Sequence, residues 1–529
     1  MVTTQRDASE VSQVNPIFGS RRFDLTRTFC LLIAIVPGLI VGPAWSAKWD
    51  VVPTLSAAET YTDNVALAPN SSAVSDWVTQ VTPGISIRGT GSGLNLYVRY
   101  APQILYYSRD LYDQNDVYQI GNATLKAELA ENLLFVDAGA NVDQYNISLQ
   151  GPITDNNVNV TGNRATVATF FVSPYLLHDF GSEVRGEARY TYTKSNSNDP
   201  TNNQDAFGNA IILRLGSGPA HKSTTWDLSY DREKTEYEGP LQPDLDTEKI
   251  LAKVRRLVTP TIGLLGRVGY EYYKYGDFRP ESNGVGWGVG VDWAPSSRIN
   301  MTAIAGRRFY GNSYEFDFRY RARLFVITAG YNQDVTTTRQ EFFVPATSST
   351  VGYLDNLYAN KISDPAIRQQ TVESLMNELG IPSSLGAPVN YYTDQLFLDK
   401  RWNASITAQG VKNVVIGNFF LLDRNALFGD VLLPGAINED NHTKQTGTSV
   451  VWNLRITPRD TWNLFAGYMQ IDYPGSNRKD DLLNVQMGFK RQLQRRVFGT
   501  ITYRRQERSS NQTYDYTENA GIATLQVVF

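Results

Sequence analysis

The last seven residues of the chain read Ala523-Thr524-Leu525-Gln526-Val527-Val528-Phe529. Side chains alternate between the two faces of a strand, so Leu525, Val527 and Phe529 share one apolar face and the residues between them are on the other. The pattern predicts that the chain ends on a β-strand with an aromatic last residue. Short alternating strands occur in β-sandwiches as well as in β-barrels. The rest of the chain therefore has to decide between these two folds.

The N-terminal region has the layout of a secretory signal peptide. Three arginines between residues 21 and 27 precede an apolar run over 29–41, and small residues follow up to Ala47. The run is shorter than the roughly 20 residues of a transmembrane helix. We therefore predict a cleaved signal peptide over 1–47 and a mature chain over 48–529.

The single cysteine of the chain, Cys30, lies inside the predicted signal peptide. The mature chain would then contain no cysteine. A disulfide framework, a thiolate metal site and a cysteine nucleophile are therefore excluded, and folding has to rest on hydrogen bonds and packing.

The composition is typical of a transmembrane barrel. Aromatic residues make up 12% of the chain, with 30 Tyr and 23 Phe, and the mean hydropathy is −0.32. Only alternate residues of a barrel strand face lipid, so the average hydropathy is polar while tyrosines fill the interfacial girdles. A net charge of −4 argues against nucleic acid as a partner.

Segments of about ten residues with alternating polarity recur along the mature chain. One example places Phe316 and Phe318 opposite Asp317 and Arg319. Tight turns and longer polar loops, such as 146–163, separate the segments in turn, as they do in outer-membrane barrels. Together with the signal peptide and the terminal Phe, this favours an all-β fold: one large transmembrane antiparallel β-barrel of about 22 strands (range 18–24).

The C-terminal strand resembles the closing strand of bacterial outer-membrane barrels, whose assembly machinery reads that end. Phe529 would then be the barrel closing end, and 520–529 would pair with the first mature strand near 51–60. The predicted location is the outer membrane of a Gram-negative bacterium, with outer-membrane lipids as partners.

Charged and aromatic side chains on the polar strand faces are predicted to face the lumen. Arginine binds carboxylates with two parallel hydrogen bonds, and aromatic faces stack on sugar rings. The other interpretation is that these residues bond across the wall and stiffen the barrel, and both roles are compatible. The lumen-facing candidates are Arg99, Arg185, Arg189, Arg267, Arg319, Arg321, Arg323, Tyr97 and Tyr273.

A long loop over 336–393 interrupts the strand pattern. Asp364 and Pro365 are typical of a helix start and Gly380 of a stop, so a helix is predicted near 364–379. It either covers an external loop or gates the lumen. The apolar residues at helical spacing, the gate-helix candidates, are Ile367, Val372, Leu375, Met376 and Leu379.

Several short motifs carry a resemblance to a known family. They are Glu59-Thr60-Tyr61-Thr62-Asp63-Asn64-Val65, Val81-Thr82-Pro83-Gly84-Ile85-Ser86, Gly306-Arg307-Arg308-Phe309-Tyr310-Gly311-Asn312-Ser313-Tyr314, Asp334-Val335-Thr336-Thr337-Thr338-Arg339, Phe397-Leu398-Asp399-Lys400-Arg401 and Tyr516-Thr517-Glu518-Asn519-Ala520. In this order they resemble the outer-membrane proteins associated with PEP-CTERM/exosortase systems. The resemblance implies an outer-membrane barrel that acts in exopolysaccharide secretion, and it implies no residue-level mechanism.

An enzymatic function is not expected. None of His178, His221 and His442 has a second ligand at metal-binding spacing, and no Gly-x-Ser-x-Gly elbow accompanies them. We predict no catalytic residue, no metal site and no cofactor. An outer-membrane hydrolase stays a minor alternative.

Two functions remain open from the sequence. In the first, the barrel is a porin-like conduit for an exopolysaccharide and docks a periplasmic polysaccharide-export partner at its short turns. In the second, it is a non-conducting assembly or adhesion scaffold of the same system.

Overall fold

The structure is a computed structural model. It describes residues 47–109, 117–154, 156–198, 205–238, 244–276, 281–343, 388–391, 395–427 and 441–529. The predicted signal peptide and the helix predicted near 364–379, with all five gate-helix candidates, therefore lie outside the described residues.

The described strands form one antiparallel sheet that closes on itself. The first strand pairs with the second along one edge and with the last strand along the other, so that Thr62 lies opposite Ala520 and Thr54 opposite Val528. Closure pairs the first strand with the last, which is what allows a sheet to cross a bilayer. The all-β fold, the closing pair and the 22 strands predicted from the sequence are confirmed.

Twenty-four strand segments make up 22 barrel strands, because the third and fourth barrel strands are each interrupted once. The first eleven are β1 Lys48–Thr62, β2 Asp76–Gly91, β3 Leu94–Tyr100 with Gln103–Tyr107, β4 Val117–Tyr118 with Gly121–Ala130, β5 Leu134–Asn146, β6 Arg164–Phe180, β7 Val184–Ser197, β8 Ala206–Ser217, β9 Thr224–Tyr237, β10 Leu245–Thr259 and β11 Ile262–Tyr275. The others are β12 Ser282–Ser296, β13 Ile299–Arg308, β14 Gly311–Arg321, β15 Phe325–Thr337, β16 Leu396–Gln409, β17 Asn413–Ala426, β18 His442–Arg455, β19 Asp460–Tyr473, β20 Arg478–Gln494, β21 Val497–Ser510 and β22 Tyr516–Val528.

The two ends of the barrel differ in the length of their connections. At one end ten turns of two to six residues join the strands, and both Lys48 and Phe529 lie there. The longer connections, such as 147–163 and 338–395, lie at the other end. Short turns are periplasmic and long loops extracellular in outer-membrane barrels, so the termini are on the periplasmic side.

The outer surface is apolar and the inner surface is polar. On β12, Val285, Trp287 and Val289 are 66%, 53% and 60% exposed, although each is large and apolar. Glycines alternate with them, and at Gly288 an added Cβ would lie 2.8 Å from the Arg267 side chain, which occupies the space above the glycine. Exposed apolar side chains on alternate positions are stable where the surrounding medium is lipid.

Aromatic side chains mark both membrane interfaces. Trp49 lies near the periplasmic end of β1, and Tyr61 lies near the extracellular end and contacts Trp77 with ring centroids 5.1 Å apart. At a rise of about 3.3 Å per residue and a tilt of about 40°, the two girdles are on the order of 30 Å apart along the membrane normal. This separation fits the apolar thickness of a bilayer.

The neighbouring strands β14 and β15 are joined over only part of their length. β14 pairs with β15 over six residues, from Phe316 opposite Tyr331 to Arg321 opposite Val326. β15, in contrast, pairs with β16 over thirteen residues. The extracellular end of β15 is therefore not held by β14.

The extracellular end of β15 extends past the short hairpin β13–β14 and packs against β11, further round the ring. Val335 shares a buried cluster with Tyr273 and Tyr275 of β11. Arg308 Nη1 donates a hydrogen bond to the Gln333 carbonyl at 3.0 Å. In the turn of that hairpin, burial raises the pKa of Tyr310, and the nearby Arg308 partly opposes the shift.

Helix is scarce in the described part of the chain. It comprises a 3-10 turn at Asn70–Ser72 and one helix, α1, at Thr338–Phe343. In the described ranges, no helix has the length and apolar character needed to cross a membrane.

Candidate functional site: a lumen with a packed extracellular mouth

The strand register determines which of the predicted lumen residues face inward. Those on the inward face, opposite to the exposed apolar side chains of their strands, are Tyr97, Arg99, Arg185, Arg189, Arg267, Tyr273, Arg319 and Arg321. Arg323 is different, because it is exposed in the turn that joins β14 to β15. In the sequence, the alternation of polar and apolar residues continues to Arg323. In the structure, β14 ends at Arg321, so Arg323 is not part of the barrel wall.

Inward arginines of β7 are bound into the wall. Arg189 donates from Nε to Glu187 at 2.7 Å and from Nη1 to Asp137 at 3.0 Å. Its guanidinium also lies 3.8 Å from the centroid of the Tyr175 ring. These contacts span three neighbouring strands, and they favour the interpretation that such residues stiffen the barrel.

Two more predicted residues have carboxylate partners. Arg185 bonds Asp179 at 2.6 Å near the periplasmic end, where both are about half exposed. Arg267 bonds Glu315 at 2.7 Å on the inner wall. The Arg185–Asp179 pair is exposed enough to contribute little to stability, whereas the Arg267 side chain is largely covered by the wall.

The connection 147–163 folds into the extracellular half of the barrel. Tyr473 donates from Oη to the Leu149 carbonyl at 2.8 Å, and Tyr516 to the Ile153 carbonyl at 3.1 Å. The loop leaves the ring at β5 and reaches β19 and β22 with these contacts. It therefore crosses part of the lumen and narrows it.

A buried cluster of charges clamps the middle of this loop. Arg478 Nη2 donates to the Gln150 carbonyl at 3.0 Å, and Arg508 Nη1 donates to the Gly151 carbonyl at 3.0 Å. Asp480 Oδ2 accepts from both guanidinium groups, at 2.6 and 2.7 Å. The Asp480 side chain is fully buried, and one carboxylate shared by two arginines fixes the geometry of both.

A second clamp holds the end of the same loop. Asn159 Nδ2 donates to Glu518 Oε1 at 2.9 Å, and Arg504 Nη2 donates to the same oxygen at 2.8 Å. Gln506 and Thr62 donate to this carboxylate as well, at 2.8 Å each. Glu518 is completely buried, so the clamp depends on this full set of donors.

Helix α1 is the second segment that enters the lumen. Arg339 is 2% exposed and donates from Nε to Ser195 at 3.0 Å and from Nη2 to Thr193 at 2.7 Å, both on β7. Its Nη1 lies 3.7 Å from a Glu233 carboxylate oxygen on β9. The start of the loop predicted over 336–393 therefore reaches the inner wall eight strands away from β15.

The end of the same loop contacts the 147–163 segment. Tyr391 forms a β-bridge with Asn146, and it packs with Leu149 and Phe397 in one buried cluster. Gln445 holds this stretch to β18, since its side chain accepts from the Val389 amide at 2.7 Å. Residues 388–391 and the 147–163 segment therefore meet inside the barrel.

From the sequence, 146–163 is expected to be an ordinary polar loop. In the structure, Asn163 bonds the backbone of the loop and Asn159 bonds the wall. The apolar residues Leu149, Ile153, Val158 and Val160 in this polar stretch were the signal that it packs against something.

No metal centre is present among the residues that the structure describes, since no three His, Cys, Asp or Glu side chains converge there. His221 lies 3.0 Å from Glu183, and His442 lies 3.0 Å from Asp423. His178 packs edge-on against Phe180. Each histidine is thus explained by a local contact.

A family profile described as "Putative beta-barrel porin 2" matches residues 449–529. The match covers the last strands of the ring, including the closing strand. No curated protein matches the chain.

Solved structures share the barrel architecture at low identity. The FrpB iron transporter from Neisseria meningitidis (F5-1 variant) is 9% identical, with a TM-score of 0.50, and the match covers 91% of this chain and 83% of that one. The siderophore receptor PirA from Pseudomonas aeruginosa is 9% identical, with a TM-score of 0.43 and coverage of 90% and 80%. BauA, the ferric preacinetobactin receptor from Acinetobacter baumannii, is 11% identical, with a TM-score of 0.44 and coverage of 91% and 81%.

The closed ring and the porin profile define the class of protein. The chain is an outer-membrane β-barrel of porin-like architecture. At 9% identity, the similarity to the FrpB structure supports the fold alone and says nothing about the molecule that passes or binds.

Proposed function

We propose that the protein is a gated conduit that carries an exopolysaccharide across the outer membrane. The observation that carries the proposal is the pair of inward segments, 147–163 and α1, which occupy the extracellular half of the lumen while the inner wall below them is polar. A 22-strand barrel is too wide for its own strand side chains to fill. A lumen of this width with a packed mouth is what a closed channel requires.

The polymer in this proposal comes from the family resemblance of the sequence. The wall chemistry is compatible with it, because the guanidinium group of Arg267 lies on the inner wall beside the half-exposed Glu315. Passage of a polymer requires many weak contacts along the wall, since a few tight ones would stop its movement. We propose no catalytic step.

The two inward segments are held with unequal strength, which suggests which of them moves. The 147–163 loop is bound through buried charge clusters that include Asp480 and Glu518, and breaking either would leave uncompensated charges. Helix α1 is held by Arg339, which bonds two hydroxyl groups and lies 3.7 Å from a Glu233 carboxylate oxygen, and by Gln340, which donates to the same carboxylate at 2.9 Å. These bonds include no buried charge cluster like those that hold the 147–163 loop. We propose that α1 is the movable gate and that 147–163 is a fixed constriction.

Gene deletion with measurement of the polymer tests the conduit. Deletion is expected to abolish polymer in the medium and to leave it in the periplasm. Normal polymer yield in the medium, with none retained in the periplasm, would contradict the proposal. Complementation with the wild-type gene is the control.

A second candidate function is a non-conducting assembly or adhesion scaffold. The observation in its favour is the same packed mouth, because Tyr391, near the end of the long loop, packs with Leu149 and bridges to Asn146. Planar-bilayer recording of the purified protein separates the two functions. A barrel that never conducts, with or without the segment 344–387, is a scaffold.

A further inference from the structure

The ten periplasmic turns divide into two halves of different charge. The turns that join the strands from β12 to β21 are residues 297–298, 322–324, 410–412, 456–459 and 495–496. They contain six basic residues and no acidic one, and all six are exposed. These residues, named here the basic arc, are Arg298, Arg323, Lys412, Arg459, Arg495 and Arg496.

The other half of the same rim is close to neutral. Its five turns, residues 92–93, 131–133, 181–183, 218–223 and 260–261, contain two acidic residues and one lysine. The contrast is a net charge of +6 against −1 on one rim.

The charges of the basic arc are not used by the fold. Among the residues that the structure describes, none of the six side chains forms an ion pair, and the one acid at the start of a neighbouring strand, Asp460, bonds Thr457 and Arg491 instead. Exposed side chains of like charge repel one another when they lie close together on a surface. An anion bound across the basic arc therefore stabilises it.

The positive charge continues from the rim into the lumen. Arg455 and Lys490 both lie opposite Thr461, on the inward face of three adjacent strands just above the arc. Arg321 lies on the inward face of β14, directly before the turn that contains Arg323. A lipid headgroup at the outer edge of the rim does not reach these inward residues, whereas a chain that enters the lumen passes them.

We infer that the basic arc is a docking surface for an acidic polysaccharide, which it captures at the periplasmic rim and passes to the inward cations. This inference rests on the proposed function and adds the chemical class of the polymer, a chain with carboxylate groups. Binding through several exposed charges is fast, reversible and sensitive to salt, which suits a surface that must release the chain into the lumen.

Binding of two defined polymers to the purified full chain tests the inference. The probes are polygalacturonate, which is anionic, and dextran, which is neutral. The test variant changes the six arc residues to Gln. The control variant removes the same number of charges at the extracellular rim, with Gln at Lys194, Arg232, Lys234, Lys274, Lys479 and Arg505.

The wild-type protein and the control variant are expected to bind polygalacturonate, with an affinity that falls as salt rises, and not dextran. The arc variant is expected to lose about tenfold or more in affinity. Equal binding by the arc and control variants overturns the inference. The inference is also overturned if the arc variant differs from the wild type only in its retention of phosphatidylglycerol in lipid nanodiscs. The ligand of the basic arc would then be the membrane.

Measurement of the polymer that cells secrete distinguishes failure of this inference from failure of the proposed function. If deletion of the gene blocks polymer export and the arc variant exports normally, the inference fails and the conduit stands. If deletion leaves export unchanged, the conduit fails, whatever the result with polygalacturonate.

Discussion

Arg339 and Ser195 are 144 residues apart in the sequence, and the arginine Nε donates to the serine hydroxyl at 3.0 Å. Arg339 follows the end of β15, and Ser195 lies on β7, across the lumen. The bond joins a segment inside the barrel to the inner wall. It explains how helix α1 is kept in the mouth.

Removal of this contact is expected to open the channel. A hydrogen bond to a charged group contributes about 1.5–3 kcal/mol, so Arg339→Ala should raise the ratio of open to closed channels roughly tenfold or more. Single-channel recording in planar bilayers measures the open probability. Arg232→Ala, at the outer surface of β9, is the matched control and should leave it unchanged. An Arg339→Ala channel that opens no more often than the wild type would show that α1 is not the gate.

Asp480 is expected to be essential for the fixed constriction. Asp480→Asn removes the charge shared by Arg478 and Arg508 and leaves two buried cations uncompensated, which costs about 3–5 kcal/mol. The free energy of unfolding in urea, measured for barrels refolded in lipid vesicles, gives the loss. The neighbouring substitution Lys479→Gln, at an exposed side chain on the same strand, should change it by less than about 1 kcal/mol. Equal losses for the two variants would contradict the clamp.

The seam between the first and last strands can be tested by a disulfide. Ala58 lies directly opposite Thr524 in the register of β1 and β22. Directly opposed residues of antiparallel strands have Cα atoms about 4.5–5.5 Å apart, which suits a disulfide. The pair Ala58→Cys and Thr524→Cys should cross-link on oxidation and shift on a non-reducing gel; Cys30 lies in the segment that is predicted to be cleaved.

The matched control for the seam keeps the first cysteine and moves the second along β22. Val528 lies opposite Thr54 rather than Ala58, so Ala58→Cys with Val528→Cys is out of register and should not cross-link. Equal cross-linking of the two pairs, or of neither, would contradict the register of the seam.

The terminal aromatic residue is expected to matter for assembly and less for the final fold. Phe529 is 58% exposed on the outer surface, and its amide donates to the Pro53 carbonyl at 3.0 Å. Phe529→Ala keeps that backbone bond, so the assembled barrel should unfold at a similar urea concentration. The amount of heat-modifiable barrel in the outer membrane should fall, because the closing end is read during assembly. Normal amounts would indicate that this side chain is not part of the signal.

The strand pattern was predictable because its physical cause is local. Each strand alternates between lipid and lumen, so the inward positions of Arg189 and Arg267 follow from their neighbours in the sequence. The end of a strand is less well determined, and Arg323 shows this, because the same alternation continues into a turn. Turn charges such as Arg495 are visible in the sequence, although their place on one side of a rim is not.

The sequence by itself determined the class of fold and the closing pair of strands, because alternation, turns and the terminal Phe529 are properties of short segments. Only the tertiary structure decided what fills the mouth. The carbonyls of Gln150 and Gly151 are bound by Arg478 and Arg508, more than 300 residues away. The sequence does not indicate which distant side chain binds a given backbone carbonyl. These groups come together only when the ring is closed.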